Sequence, residues 1–86
     1  METLKILIAE DNEFSRKFYD TYISATVFEK KFAVNGAEAL EIYGTWKPDI
    51  LLLDLMMPVM SGQEVLREIR EARRDISTTI IISSLS

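Results

Sequence analysis

Cysteine and histidine are both absent from the 86 residues, and glycine and proline number only three and two. The absence of cysteine excludes a disulfide scaffold and a thiolate metal site. The absence of histidine removes the usual ligand of zinc and haem and the usual base of a catalytic triad. A metal bound by this chain should therefore be a hard cation that prefers oxygen ligands, such as magnesium or calcium.

An excess of positive charge and long apolar runs are also missing. Ten Lys and Arg residues stand against fourteen Asp and Glu, so the net charge is −4. A direct nucleic acid partner is disfavoured, because phosphate neutralisation needs clustered positive charge. The apolar runs are far shorter than the roughly 20 residues of a membrane span, and the amino terminus lacks a signal-peptide pattern. We expect one small domain over residues 1–86, located in the cytoplasm and without a membrane partner.

Four short segments have the composition of β-strands. Leu4–Ala9 is apolar and stops at acidic residues. Residues 49–54 enclose an unbroken apolar run, which is typical of a central parallel strand covered on both faces. The segment 27–33 carries charged residues and suits the edge of a sheet. The last segment, 79–84, contains consecutive isoleucines and predicts a fourth strand.

Helical periodicity separates the first three strands. Phe14, Phe18 and Tyr22 recur every four residues and predict the apolar stripe of a first helix. A capping-box pattern at 35–38 opens a second helix, which Gly44 is expected to loosen or end. A second capping box, at 61–64, opens a third helix. The residues of this helix that are predicted to face inward are Val65, Leu66, Ile69 and Ala72.

The resulting order of elements is βα, βα, βα, β. Strands that alternate with helices predict an α/β fold, a doubly wound parallel sheet with helices on both faces. In such sheets, ligands bind outside the carboxyl ends of the strands. The residues at those ends are therefore the candidates for function.

Acidic residues follow two of the predicted strands. Glu10 and Asp11 follow the first strand, Asp54 ends the third, and Ser83 and Ser84 end the fourth. If the first and third strands are neighbours, three carboxylates converge, and their repulsion raises carboxyl pKa values unless a cation compensates for it. Magnesium suits such a site. The structural alternative is that these acids cap helices, but three of them at strand ends favour a metal site.

Other ligand classes of α/β sheets fit less well. The turn after the first strand, 10–13, is acidic and not rich in glycine, so it would repel a phosphate unless a cation lay between them. Phosphohydrolases with an aspartyl nucleophile place a second acid two positions later, where this chain has Met56. A hydrolase with two acids is therefore disfavoured.

One family combines these features. Residues 54–62, which read DLMMPVMSG, resemble the phosphoacceptor motif D-x-x-M-P-x-M-[DS]-G of the response-regulator receiver domains of two-component systems. The acidic pair Glu10 and Asp11, the segments 35–40 and 47–49, and Ser84 resemble the same family and extend the likeness along the whole chain. Gly62, the last residue of the motif, is expected to let the backbone turn into the third helix.

The resemblance implies a flavodoxin-like receiver fold and a phosphoryl-transfer mechanism. Asp54 would be the phosphoacceptor, supplied by a histidine kinase, a phosphotransfer protein or a small phosphodonor. Asp11, Asp54 and the backbone carbonyl of Met56 would bind Mg²⁺, and Glu10 would act mainly through water. Ser84 would sense the phosphoryl group. Any enzymatic activity would be limited to Mg²⁺-dependent phosphorylation and dephosphorylation of the chain itself.

The chain also departs from the family pattern. It has three βα units and one strand, in the expected order 2-1-3-4, and it lacks the fourth helix, the fifth strand with its lysine, and the fifth helix. The fourth strand should then be an exposed edge, and we expect a homo-oligomer that pairs through this strand and through the uncovered faces of the sheet. The alternative to a signalling phosphoacceptor is a truncated receiver fragment that does not signal and acts as an oligomerising or folding module.

Overall fold

A computed structural model of the chain describes residues 3–83. Within that range four strands alternate with three helices, and the third helix continues into a short π-helical turn. The helix bounds are Glu13–Tyr22 for α1, Gly36–Trp46 for α2 and Gly62–Arg67 for α3, with the π-turn at Glu68–Ala72. The strand bounds are Leu4–Ala9 for β1, Phe28–Ala33 for β2, Ile50–Leu53 for β3 and Thr79–Ile82 for β4. Among the helices of residues 3–83, none has both the length and the hydropathy that a membrane span requires.

The four strands form one parallel sheet in the order β2-β1-β3-β4. The strand order and the doubly wound α/β class expected from the sequence are both confirmed. The charged strand β2 lies at an edge, and the unbroken apolar strand β3 lies inside the sheet. Ala9 at the end of β1 is in register with Leu53 at the end of β3. The residues that follow these two strands are therefore adjacent.

Apolar side chains of the sheet pack on both of its faces, because successive side chains of a strand point to opposite sides. On β1, Leu7 and Ala9 belong to the core beneath α2 and α3, whereas Ile6 and Ile8 belong to the core beneath α1. The larger cluster also includes residues of α2, β3, α3 and the π-turn, namely Leu40, Tyr43, Leu51, Leu53, Val65 and Ile69. The smaller cluster includes Leu52, Tyr19, Ile23 and Phe28.

The predicted apolar stripe of α1 is wrong in its orientation. Phe14, Phe18 and Tyr22 are 82%, 54% and 73% exposed. Tyr19 and Ile23, which are also four residues apart, pack against the sheet instead. Two rows of large apolar residues run along this helix, and the row that faces the sheet is not the one predicted from the sequence.

Two expectations for the other helices are also wrong. Helix α2 passes through Gly44 without a break and ends at Trp46. It is capped by Lys47, which adopts a left-handed conformation with φ 52° and donates its N–H to the Tyr43 carbonyl. Ala72 is exposed and does not face inward. The π-turn accounts for this, because its extra residue per turn shifts the helical phase after the buried Ile69.

Candidate functional site

The candidate site lies where β1 and β3 end side by side. The backbone ladder continues one residue beyond both strands, because Asp54 donates its N–H to the Ala9 carbonyl at 3.0 Å. Glu10 is held in the same way by the Ala33 carbonyl of β2, also at 3.0 Å. These bonds bring Glu10, Asp11 and Asp54 together, and one carboxylate oxygen from each lies within 4.8 Å of the others. The predicted convergence of the three acids is therefore observed.

Burial and mutual repulsion dominate the electrostatics of this pocket. Glu10 and Asp54 are only 6% and 4% exposed, whereas Asp11 is open to solvent. Burial, and after it contact with Asp54, raise the pKa of Glu10 from 4.5 to about 7. The N–H of Asn12 opposes part of this shift. At neutral pH the pocket thus shares a proton or needs a cation, as expected for crowded carboxylates.

The Glu10 and Asp54 carboxylates are held by local hydrogen bonds, and none of the three acids caps a helix. Asn12 donates its N–H to Glu10 Oε2 at 3.2 Å, and Met56 donates its N–H to Asp54 Oδ1 at 2.9 Å. The cap of α1 is the Asn12 side chain, which accepts the Ser15 N–H at 3.0 Å. The structural alternative, in which the acids serve as helix caps, therefore does not describe this site.

The donor set fits a hard divalent cation. Three carboxylates at the carboxyl ends of two neighbouring strands supply only oxygen ligands, which magnesium prefers. Met56, whose carbonyl was expected as a further ligand, lies in the loop directly after Asp54 and is tied to it through its N–H. Ser84 lies outside the described residues. Its neighbour Ser83 donates its N–H to the Leu53 carbonyl at 2.9 Å, next to the pocket.

The loop after Asp54 is packed tightly between two glycines. A Cβ atom on Gly62 would lie 2.2 Å from the Asp54 carbonyl oxygen, and one on Gly36 would lie 2.1 Å from the Met60 carbonyl oxygen. Gly62 begins α3, where the backbone was expected to turn into the helix; its φ is not positive, and close approach is what requires a glycine there. Gly36, at the start of α2, packs against the same loop, and no pattern in the sequence indicated that contact.

Two further residues of the site were missed by sequence reasoning. Val59 has φ 69°, and Met60 donates its N–H to the Pro58 carbonyl at 2.7 Å, which closes a γ-turn around Val59. Arg16 donates from Nη1 to the backbone carbonyls of both Glu10 and Asp11, at 2.9 and 2.8 Å. Arg16 is a single arginine in the first turn of a helix and belongs to no recognisable sequence motif. Its position after the acidic pair is the one signal that could have drawn attention to it.

Comparison with known proteins adds independent findings to this geometry. The sequence model of the family described as "Response regulator receiver domain" matches residues 6–86. The chain is 35% identical over 80 residues to "Regulator of RpoS" of Escherichia coli K12, which covers 93% of this chain and 23% of that protein. It is also 35% identical over 66 residues to the "Polar-differentiation response regulator DivK" of Brucella anthropi, which covers 77% of this chain and 54% of that protein.

Solved structures show the same likeness. The receiver domain of the Francisella response regulator 1452 superimposes with a TM-score of 0.83 at 30% identity, over 93% of this chain and 64% of that one. The chemotaxis response regulator CheY4 of Vibrio cholerae gives a TM-score of 0.85 at 26% identity, over 94% and 68%. The chain spans about a quarter of the first of these curated relatives and about two thirds of these receiver structures.

Proposed function

The chain belongs to the response regulator receiver domain family, and from this premise we propose that Asp54 accepts a phosphoryl group in a pocket where Glu10, Asp11 and Asp54 hold Mg²⁺. The observation that carries the proposal is the convergence of these three carboxylates within 4.8 Å at the ends of two neighbouring strands. Receiver domains obtain phosphoryl groups from histidine kinases. The phosphodonor of this chain would be such a kinase or a phosphotransfer protein in the cytoplasm.

Asp54 is the best placed of the three acids to act as the nucleophile. The Met56 N–H holds Asp54 Oδ1, which fixes the orientation of the carboxylate. One Asp54 oxygen forms a bond to phosphorus, while the bond from phosphorus to the donor's nitrogen or acyl oxygen breaks and its electron pair leaves with the donor. When bound, Mg²⁺ neutralises charge on the carboxylates and on the incoming phosphoryl oxygens. The Met56 carbonyl would be a further ligand of the cation, and Ser84 would sense the phosphoryl group.

Glu10 adjusts the charge of the pocket. Its pKa of about 7 means that it can keep a proton while the pocket is without a cation and release it when positive charge arrives. Because Glu10 lies beside Asp54, its ionisation sets how many negative charges face the phosphodonor. We assign it a supporting role through water, and we assign the direct carboxylate contacts to Asp11 and Asp54.

The test is phosphorylation by acetyl phosphate, followed by intact-protein mass spectrometry. The wild-type chain should gain one phosphoryl group in Mg²⁺ and none in excess EDTA, and the adduct should be cleaved by hydroxylamine as an acyl phosphate. Asp54→Asn should abolish the gain. The matched control is Asp20→Asn, which makes the same change on the exposed surface of α1 beside Lys30. Labelling that persists in Asp54→Asn, or its absence from the wild-type chain, would overturn the assignment.

The exposed fourth strand supports a second proposal, which is self-association. Ile81 and Ile82 on β4 are 46% and 38% exposed. Thr79 and Ser83 direct their N–H groups to β3, so the alternation of a strand directs those of Ile80 and Ile82 to the outer edge. An antiparallel pair of β4 strands around a two-fold axis would match Ile80 with Ile82 of the partner subunit and place Ile81 beside its own copy. Such an edge favours pairing.

Sedimentation velocity tests this pairing. The wild-type chain should form a dimer whose fraction rises with concentration, and Ile81→Lys should remove it because two like charges would then meet on the axis. The control is Ile76→Lys, since Ile76 is 85% exposed and lies outside β4. A monomeric wild-type chain at micromolar concentration contradicts the pairing. A dimer without phosphorylation at Asp54 would instead favour the alternative function, an oligomerising module that does not signal.

A further inference from the structure

Arg16 connects the first helix to the acidic pocket without contributing a ligand to it. The residue lies in α1, is half-buried, and donates from one nitrogen, Nη1, to the carbonyls of Glu10 and Asp11. We propose that Arg16 is a positioning residue, which fixes the backbone of the acidic pair and so sets the position of the Asp11 carboxylate for cation binding. This inference rests on the function proposed above.

The backbone at the junction of β1 and α1 explains why such a support matters. Glu10 is anchored to β2 by its N–H, and the Asn12 carbonyl receives the first helical hydrogen bond from the Arg16 N–H at 3.0 Å. Asp11 lies between these anchors, its side chain is exposed, and its carbonyl accepts the bond from Arg16. The position of its carboxylate therefore depends on the backbone that Arg16 holds. Hydrogen bonds from a guanidinium are stronger than neutral ones, and arginine keeps its charge at all working pH values.

The positive charge of Arg16 makes the direction of the change in cation affinity informative. A positive group beside a cation site repels the cation, so an arginine that acted only through its charge would weaken binding. Its removal would then tighten binding. If Arg16 acts by positioning Asp11, its removal weakens binding although a repulsive charge has gone. The two roles predict opposite changes in affinity.

The experiment measures Mn²⁺ as a probe of the site, by the electron paramagnetic resonance signal of the free ion, in the full chain without phosphodonor. Arg16→Gln should weaken Mn²⁺ binding by about tenfold, the scale of lost outer-sphere support in metal sites. Arg16→Lys, which keeps the charge and a donor on a shorter side chain, should recover part of the loss. The matched control is Lys17→Gln, because Lys17 is the next residue of α1, is 76% exposed and pairs with Glu13 at 3.6 Å. It should stay within about twofold of the wild type.

Two further measurements separate positioning from general destabilisation. Far-UV circular dichroism and urea unfolding should show that Arg16→Lys is folded at the temperature of the titration. Amide hydrogen exchange in the folded Arg16→Lys variant should be faster at residues 10–12 and unchanged in β3. If Arg16→Gln does not fold, the Mn²⁺ affinity and the amide exchange of Arg16→Lys decide the question.

Each outcome identifies which proposal fails. Unchanged or tighter Mn²⁺ binding in Arg16→Gln, together with wild-type binding that Asp11→Asn abolishes, overturns the positioning role and leaves the cation site intact. In the absence of folded Arg16→Gln, wild-type affinity in Arg16→Lys with unchanged exchange overturns it as well. A wild-type chain that binds no Mn²⁺, or whose binding survives both Asp11→Asn and Asp54→Asn, overturns the cation site and the positioning role with it.

Discussion

At the scale of single residues, Glu10 makes the stability of the chain depend on pH. Its pKa rises from 4.5 in the unfolded chain to about 7 in the fold, chiefly through burial. Between these values the unfolded chain releases a proton that the folded chain retains, so stability falls as pH rises through this window. The loss is on the order of 3 kcal/mol and is complete above the folded pKa.

Glu10→Gln should remove this pH dependence, because the amide stays neutral at every pH while keeping the shape of the side chain. Urea unfolding in EDTA between about pH 5 and about pH 8 measures the effect. The wild-type free energy of unfolding should decline across the range, and that of the variant should stay nearly level. Parallel pH profiles for the two proteins would show that Glu10 is not the group responsible.

Val59 has a backbone conformation that is unfavourable for a β-branched side chain. Its φ of 69° lies in the left-handed region, which β-branched residues avoid, and it occupies the centre of a γ-turn. The side chain is 81% exposed, so little burial offsets the strain. Positions of this kind cost about 1–3 kcal/mol, and asparagine tolerates the left-handed region better than valine does.

Val59→Asn should therefore raise the free energy of unfolding by about 1 kcal/mol. Val59→Gly should gain less, because glycine loses more backbone entropy on folding. Val34→Asn is the matched control, since Val34 is also an exposed valine but lacks a positive φ, and it should give no gain. Urea unfolding at one pH compares the three variants. Destabilisation by Val59→Asn would contradict the strain argument.

At the scale of elements, Gly62 and Gly44 differ in whether the fold leaves room for a side chain. Gly62, at the start of α3, lies so close to β3 that a Cβ would be 2.2 Å from the Asp54 carbonyl oxygen, which is a backbone atom and cannot move freely. Gly44, inside α2, leaves room, and its nearest neighbour would be the flexible guanidinium of Arg73 at 3.4 Å.

Alanine should therefore have opposite effects at these two positions. Gly62→Ala should lower the free energy of unfolding by about 1–3 kcal/mol or more, since the clash forces β3 and α3 apart. Gly44→Ala should raise it by about 0.5–1 kcal/mol, because alanine is favoured in a helix interior. Gly62→Ala should also weaken Mn²⁺ binding, because the displaced atom belongs to Asp54. Equal effects of the two substitutions on stability would contradict this account of the loop.

The elements themselves could be predicted from local patterns, but their orientation could not. The strands were recognisable because their apolar runs are bounded by acids, turns and capping boxes, as at Glu10 and Ser61. The face of α1 was not, because the rows through Phe18 and Tyr19 have similar periodicity and only packing against the sheet chooses between them. The π-turn was equally hidden. It is accompanied by tertiary hydrogen bonds from Arg70 to the carbonyls of Asp75 and Thr78, both at 2.7 Å.

At the scale of the whole molecule, the sheet determines where the chemistry lies. The alternation of strands and helices predicted a parallel sheet, and the convergence of Glu10, Asp11 and Asp54 followed from placing β1 beside β3. That neighbourhood itself was implied by the family resemblance and not by periodicity. Gly36 could not be anticipated, since it lies against the Met60 backbone, which only the folded chain brings near. Arg16 is close in sequence to the carbonyls that it binds, but no local pattern specifies the direction of its side chain.

The same convergence couples the stability of the whole fold to divalent cations. Three acids at one edge repel each other, and a cation that binds only the folded chain stabilises it by mass action. At a Mg²⁺ concentration about 100 times the dissociation constant, the gain should be about 2.7 kcal/mol. Because Glu10 holds a proton below pH 7 and cation binding favours its release, the gain should be larger at about pH 8 than at about pH 5.

Thermal unfolding with Mg²⁺ or EDTA at the two pH values measures this coupling. The wild-type midpoint should rise with Mg²⁺, more so at the higher pH, and Asp11→Asn should show little rise at either. Glu10→Gln should respond to Mg²⁺ equally at both pH values, since the titrating group has gone. A wild-type rise that does not depend on pH would mean that the Glu10 proton is not displaced. The cation would then be bound by Asp11 and Asp54 without any contribution from Glu10.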